Sequence, residues 1–244
     1  MTQGQLIRLR FARHRLAVIS LQVLIWMYGI ALFAEFAAPT LPDQRNLDFT
    51  YCPPQPPRFS LSDGFYVYAM RRYVDPVTFQ ETYTEDRSER TRLGFFVKGE
   101  PYRLWRLIPC ERRFFGPRER GAPFFFFGAD KYGRDLFSRI VYGSRVSLSV
   151  GLIGIALTFL LGMSIGGLSG YAGGRTDMFL QRIIEILAAI PKLPLWLALG
   201  AAMPGDWSPL KTYFAITIVL SLMGWTRLAR VVRGKILALR EEDY

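Results

Sequence analysis

Twenty-two consecutive residues, 147–168, carry no charge. At about 1.5 Å of rise per helical residue they are long enough to cross the roughly 30 Å hydrocarbon core of a bilayer. Gly162, Gly166 and Gly170 recur every fourth residue along this run and its exit. They share one helix face, where the lack of side chains lets a second helix approach closely. The span is built to pack against protein. Just ahead of it, residues 128–146 read as an interfacial amphipathic helix, with Leu136, Phe137, Ile140 and Val141 on one side and Arg134, Asp135, Ser138 and Arg139 on the other.

The rest of the chain falls into place around that span. Residues 1–15 hold Arg8, Arg10, Arg13 and Arg15 with no acid, and a first span follows over 16–36. A basic tail before a span places the N-terminus in the cytoplasm. Its apolar stretch exceeds a secretory signal's core and is followed by a poor cleavage sequence, so it reads as a retained anchor. Residues 37–127 then lie outside the membrane as an extracytoplasmic insertion. Alternation at 65–69 and 93–97 points to strands, so this insertion reads as small α/β or mostly β. The aromatic run 123–127 reads as an interfacial anchor rather than a ligand-binding wall. After the glycine-spaced span come a cytoplasmic loop (169–177), a third span (178–203), an outer turn (204–209), a fourth span (210–226) and a cytoplasmic helix (227–244). Arg227, Arg230, Arg233, Lys235 and Arg240 mark that last exit as cytoplasmic. The formal charge of +11 largely flanks apolar spans, so topology accounts for it without a nucleic-acid partner.

The third span is the unusual one, because Arg182, Glu185 and Lys192 lie within it beside Pro191 and Pro194. Arg182 and Glu185 are placed to pair across one turn, and Lys192 sits seven residues beyond Glu185, two turns up the same face. Charges at membrane depth point to a bundle interior or a water-filled path, which makes Glu185 and Lys192 candidates to line or brace such a path. The alternative puts the charges at the interface, with Lys192 snorkelling. Cys52 and Cys110 both fall in the insertion, where a disulfide between them and two free thiols are the competing readings. Their spacing matches no zinc or thiol-redox motif. Gly162, Ser164 and Gly166 spell the pattern of a hydrolase nucleophile elbow. That motif needs a strand, a sharp turn and a helix, and here the run is helical throughout, with His14 far away.

The residues also carry a resemblance. Gly128-Ala129-Asp130-Lys131-Tyr132-Gly133-Arg134-Asp135-Leu136-Phe137-Ser138-Arg139, then Gly170-Tyr171-Ala172-Gly173-Gly174-Arg175-Thr176-Asp177 and Gly224-Trp225-Thr226-Arg227-Leu228-Ala229-Arg230, resemble the second membrane permease of bacterial dipeptide and oligopeptide ABC importers, a family that includes nickel permeases. It implies an all-α polytopic protein of the bacterial inner membrane, a type I ABC importer permease, here with the long periplasmic insertion. The implied partners are a homologous second permease, two ATP-binding subunits that hold the ATP and Mg, a periplasmic substrate-binding protein and membrane lipids. No cofactor is expected on this chain, and no enzyme activity. The family's cytoplasmic coupling loop docks on the ATPase, and Arg240, Glu241, Glu242, Asp243 and Tyr244 look like its lead-in. Four of the family's six helices are read, as in a fragment of a longer permease or a truncated product. The rival reading is a membrane-tethered interaction protein whose cap binds a partner.

Overall fold

The computed structural model describes residues 2–77 and 81–241 and divides the chain into two compact units, Met1–Arg145 and Val146–Tyr244. In the first, α1 (Gln3–Arg13) and α2 (Arg15–Leu32) are separated at His14, whose Nδ1 accepts the Ala17 N–H at 3.2 Å and so caps α2. Helix α2 is apolar and exposes Leu16, Ile25 and Trp26, as expected of a helix whose solvent is lipid. It is one of three helices, among the described residues, long and apolar enough to cross a membrane; a bent pair in the second unit makes four if it is one span. A short helix, α3 (Ala34–Ala37), follows.

The segment after α3 folds as a four-stranded antiparallel sheet. Its strands β1 (Arg58–Ser60), β2 (Gly64–Val74), β3 (Glu81–Leu104) and β4 (Ile108–Pro117) pair in sequence order. Val67, Leu93 and Phe124 form one core of this sheet and Cys52, Phe125 and Ala129 another. Phe124 and Phe125 are therefore interior residues, which corrects the reading of 123–127 as an interfacial anchor: the run supplies two side chains to the sheet's core, and only Phe127 is largely open. The disulfide reading is also corrected. Both thiols are free, Cys52 buried among Phe125 and Ala129 and Cys110 opposite Tyr102 in the β3–β4 ladder. Burial pushes the Cys52 thiol up to about 12.

Residues 128–135 form a hydrogen-bonded loop instead of the first turns of an amphipathic helix. Gly128 and Gly133 adopt left-handed φ values of 84° and 67°. A Cβ at Gly133 would stand 1.7 Å from the Asn46 carbonyl oxygen, so only glycine fits. Asp130 Oδ1 accepts the backbone N–H groups of Tyr132 and Arg134, and Oδ2 takes the guanidinium groups of Arg134 and Arg139. Burial works against the Asp130 charge, but these donors outweigh it and hold the carboxyl at about 2. Asp135 then caps α4 (Leu136–Ala172) through the N–H of Ser138 at 2.8 Å, and this single helix runs on into the second unit.

A buried polar cluster joins these parts of the first unit. Arg145 donates to the Ala31 and Leu32 carbonyls, the last of α2, and to both carboxylate oxygens of Glu35. Burial disfavours the Glu35 charge, yet Arg145 and nearby N–H groups keep its carboxyl below the usual range. Arg113, from β4, is 1% exposed; it donates to the Ala38 carbonyl at 2.8 Å and lies 5.0 Å from the Tyr102 ring centre.

Two outcomes follow for the full chain in detergent. Gly133→Ala lowers stability by at least about 2 kcal/mol in thermal unfolding, because left-handed strain and a backbone clash add. Gly121→Ala has the same strain but open space around it, and costs less. In a Cys110→Ala background, Cys52 resists maleimide at neutral pH and reacts once the protein is denatured.

Candidate functional site

The second unit is built around the glycine face of α4. Opposite it runs α7 (Pro209–Glu241), and between them in sequence lie α5 (Gly174–Ala189) and α6 (Lys192–Ala202). A Cβ at Gly162 would meet the Leu228 side chain at 2.8 Å, one at Gly166 the Ala229 carbonyl oxygen at 2.5 Å, and one at Gly170 Ile236 at 2.9 Å. The three glycines thus form the groove in which α7 lies, and at Gly166 the contact is backbone to backbone. Ile184 of α5 packs with Trp225 and Ala229 of α7 beside this contact. Ser164 lies on the other side of the same unbroken helix, exposed, so the elbow geometry of a nucleophile is absent there.

One end of the contact is closed by a polar clamp. Asp177, in the first turn of α5, receives Arg233 Nε and Nη2 on its two oxygens at 2.5 Å each. Its Oδ1 also accepts the Ser169 hydroxyl, and the Gln181 amide donates to that hydroxyl at 3.1 Å. The paired arrangement fixes guanidinium orientation as well as distance. Arg240 Nη1 donates to the carbonyls of Gly170 and Tyr171, which end α4 without intrahelical partners. Gly173 and Gly174, at φ of 63° and 53°, reverse the chain tightly enough for α5 to start beneath them. The clamp joins α4, α5 and α7, and Arg227, Arg230 and Lys235 remain exposed along α7.

The candidate path residues are not brought together. Glu185 pairs with Arg182 at 3.0 Å, and both side chains are mostly exposed. Lys192 is exposed at the start of α6. The placement of Glu185 and Lys192 on one continuous face is corrected by the backbone: Ile190, before Pro191, is extended at ψ 122°, and α5 and α6 meet at a bend of 75°. The proline ring disfavours the helical conformation in the residue before it, and the segment expected as the third span is a bent pair of helices. Of the expected coupling lead-in, Arg240 sits on the end of α4, Glu241 is the last helical residue, and Glu242, Asp243 and Tyr244 lie outside the described residues. Among the described residues, no group of three or more His, Cys, Asp or Glu is placed to hold a metal ion. The Asp177–Arg233 pair escaped sequence reading because its members lie 56 positions apart, one in a turn and one in a row of arginines explained by topology.

Residues 2–57 match the family described as the N-terminal TM domain of oligopeptide transport permease C, and residues 158–244 match the binding-protein-dependent transport system inner membrane component. The oligopeptide transport system permease protein OppC of Bacillus subtilis (strain 168) is 39% identical over 119 residues, 49% of this chain and 37% of that protein. The dipeptide transport system permease protein DppC of the same organism is 42% identical over 120 residues, 49% of this chain and 35% of that protein. The alignments span little more than a third of the length of these two relatives. The inner membrane ABC transporter permease protein YejE of Escherichia coli (strain K12) aligns over 240 residues at 29% identity, covering 96% of this chain and 65% of its own length. That alignment runs through the segment that forms the sheet.

Gly166→Ala and Gly167→Ala separate helix contact from helix propensity at adjacent positions. A methyl group at 166 meets the Ala229 backbone, whereas at 167 the nearest atom is Ile236 Cδ1 at 3.9 Å. The first substitution lowers thermal stability in detergent by about 1–3 kcal/mol, and the second is neutral or slightly stabilising.

Proposed function

We propose, from the premise that this chain belongs to the permeases of dipeptide and oligopeptide importers, that it is a membrane subunit of an ATP-driven peptide importer, forming part of the translocation path and receiving movement from cytoplasmic ATPases. The observation that carries this reading is the construction of α7: one continuous helix of 33 residues joins the apolar contact at Ala229 to the basic end at Arg240. At about 1.5 Å per residue it is a lever of roughly 50 Å. A push at the Arg240 end reaches the glycine face of α4 without passing through a loop. The Asp177–Arg233 clamp carries the same movement to α4 and α5.

The working assembly pairs this chain with a homologous permease, two ATP-binding subunits that hold ATP and Mg, and an external peptide-binding protein. The N-terminus and the exposed arginines of α7 face the cytoplasm, and the sheet faces the opposite side, as the basic flanks of α2 and α7 support. The break between α5 and α6 lies where neighbouring helices or water must satisfy the freed backbone groups, which suits a segment beside a path. Glu185 and Lys192 flank that break and are the side chains offered for the path. Transport then requires two packings of these helices with opposite accessibility, and the binding of peptide and ATP must favour them differently.

Affinity purification of the full-length gene product from membranes expressing it with its neighbouring genes recovers two ATPases and a second permease in stoichiometric amounts. The same cells accumulate a labelled oligopeptide. Asp177→Asn lowers that uptake at least about tenfold with the complex still assembled, as expected for a clamp that transmits movement. Recovery of no ATPase and no second permease would shift the reading to a membrane-tethered protein whose cap binds a partner.

A further inference from the structure

The β3–β4 hairpin of the first unit ends in a tip that does not suit water. Residues 105–107 make the turn, with Trp105 and Arg106 at left-handed φ of 51° and 63°, and Leu104 pairs with Ile108 at its base. Leu107 is 78% exposed, and Ile108 and Trp105 are about half as open or more. The tip is held in one place. Trp105 Nε1 donates to the carbonyl of Leu32, the last residue of α2, at 2.8 Å, and its ring lies 5.5 Å from that of Phe33. Alongside runs an open groove of about 640 Å³, walled by Phe33, Phe36, Tyr102, Leu104 and Cys110, with Glu111 and Arg112 at its charged side.

The position of this tip relative to a bilayer follows from α2. Eighteen residues rise about 27 Å, close to the thickness of the hydrocarbon core, so the end of α2 at Leu32 stands at the boundary between acyl chains and headgroups. A hairpin hydrogen-bonded to Leu32 stands at the same depth. The residues there are those a boundary favours: a tryptophan whose N–H is satisfied, exposed aliphatic side chains, and Arg103, Arg106 and Arg112 open to reach phosphates. The mostly apolar groove behind them begins at Phe33, the residue that caps the end of α2.

We infer that the β3–β4 tip is a membrane foot: Leu107, Ile108 and Trp105 enter the boundary of the leaflet beside α2, and a phospholipid acyl chain lies in the groove between the hairpin and Phe33–Phe36. The sheet is thus held by lipid as well as by the chain that leads into it. The inference rests on α2 crossing the membrane and not on transport.

The test uses the full chain, with Cys110→Ala, reconstituted in vesicles of phosphatidylethanolamine and phosphatidylglycerol. Spin labels are placed at Leu107→Cys, at Leu61→Cys in the β1–β2 turn, where the side chain is 98% exposed, and at Leu24→Cys within α2. Collision with oxygen, which concentrates in lipid, is compared with collision with a water-soluble nickel chelate. The expected result is a label at 107 several-fold more accessible to oxygen than to chelate, like that at 24 and opposite to that at 61. A label at 107 as open to chelate as that at 61 overturns the inference by placing the tip in water. One shielded from both reagents overturns it by placing protein over the tip. Chelate access at 24 overturns it together with the membrane span.

Discussion

Where water is absent, every backbone N–H and carbonyl must find its partner inside the protein. The layout of this chain answers that demand at three helix ends. Arg145 covers the last carbonyls of α2, Arg240 those of α4, and Asp135 the first N–H groups of α4. Two of these three groups reach across more than sixty residues of sequence, so the ends of the helices fix tertiary structure as well as local structure. The glycine face of α4 answers the same demand differently: with no hydrophobic drive between helices in lipid, close backbone approach supplies the dispersion contact that holds α7 in place.

Each unit uses one carboxylate–guanidinium pair to tie helices together. In the first, Glu35 is buried while Arg145 stays about as open as Arg233, and together they join α3 to α4. In the second, Asp177 and Arg233 lie at a helix reversal and retain partial exposure. A pair of the second kind contributes modestly to stability. Its value lies in direction, because the two parallel contacts keep α7 from rotating about its axis relative to α5.

Much of the helical architecture was legible because absence of charge over twenty or so residues is a strong signal, and the fourfold spacing of Gly162, Gly166 and Gly170 has few other uses. The stretches 65–69 and 93–97 do lie in strands, although burial there does not alternate: Tyr66 and Val67 are both buried, and Phe95 and Phe96 are both exposed. Residues 128–135 misled because their apolar followers have helical spacing, while the conformation is set by two glycines at left-handed φ and by Asp130, whose contacts no periodicity encodes. The third span misled in another way: the stripe of apolar residues is helical on both sides of Pro191, and the pattern is silent about the angle between the halves. Glu35 with Arg145, Arg113 with Ala38 and Asp177 with Arg233 join distant positions, and a single sequence holds no trace of such pairings. The aromatic run at 123–127 shows the converse, since two adjacent phenylalanines face two different cores.

The partners of Glu35 also impose an order on synthesis. The sheet is a meander in which each strand pairs with its neighbour in sequence, so it can form as soon as its own residues emerge. Arg145 lies 110 residues beyond Glu35. Until the first turns of α4 have been made, the carboxylate and the terminal carbonyls of α2 have no guanidinium to receive. The sheet's own Trp105 and Arg113 reach the carbonyls of Leu32 and Ala38 before then, so what α4 adds is the partner of the Glu35 carboxylate. A ribosome stalled between the sheet and α4 would leave strands that can pair and a buried Glu35 carboxylate without its guanidinium.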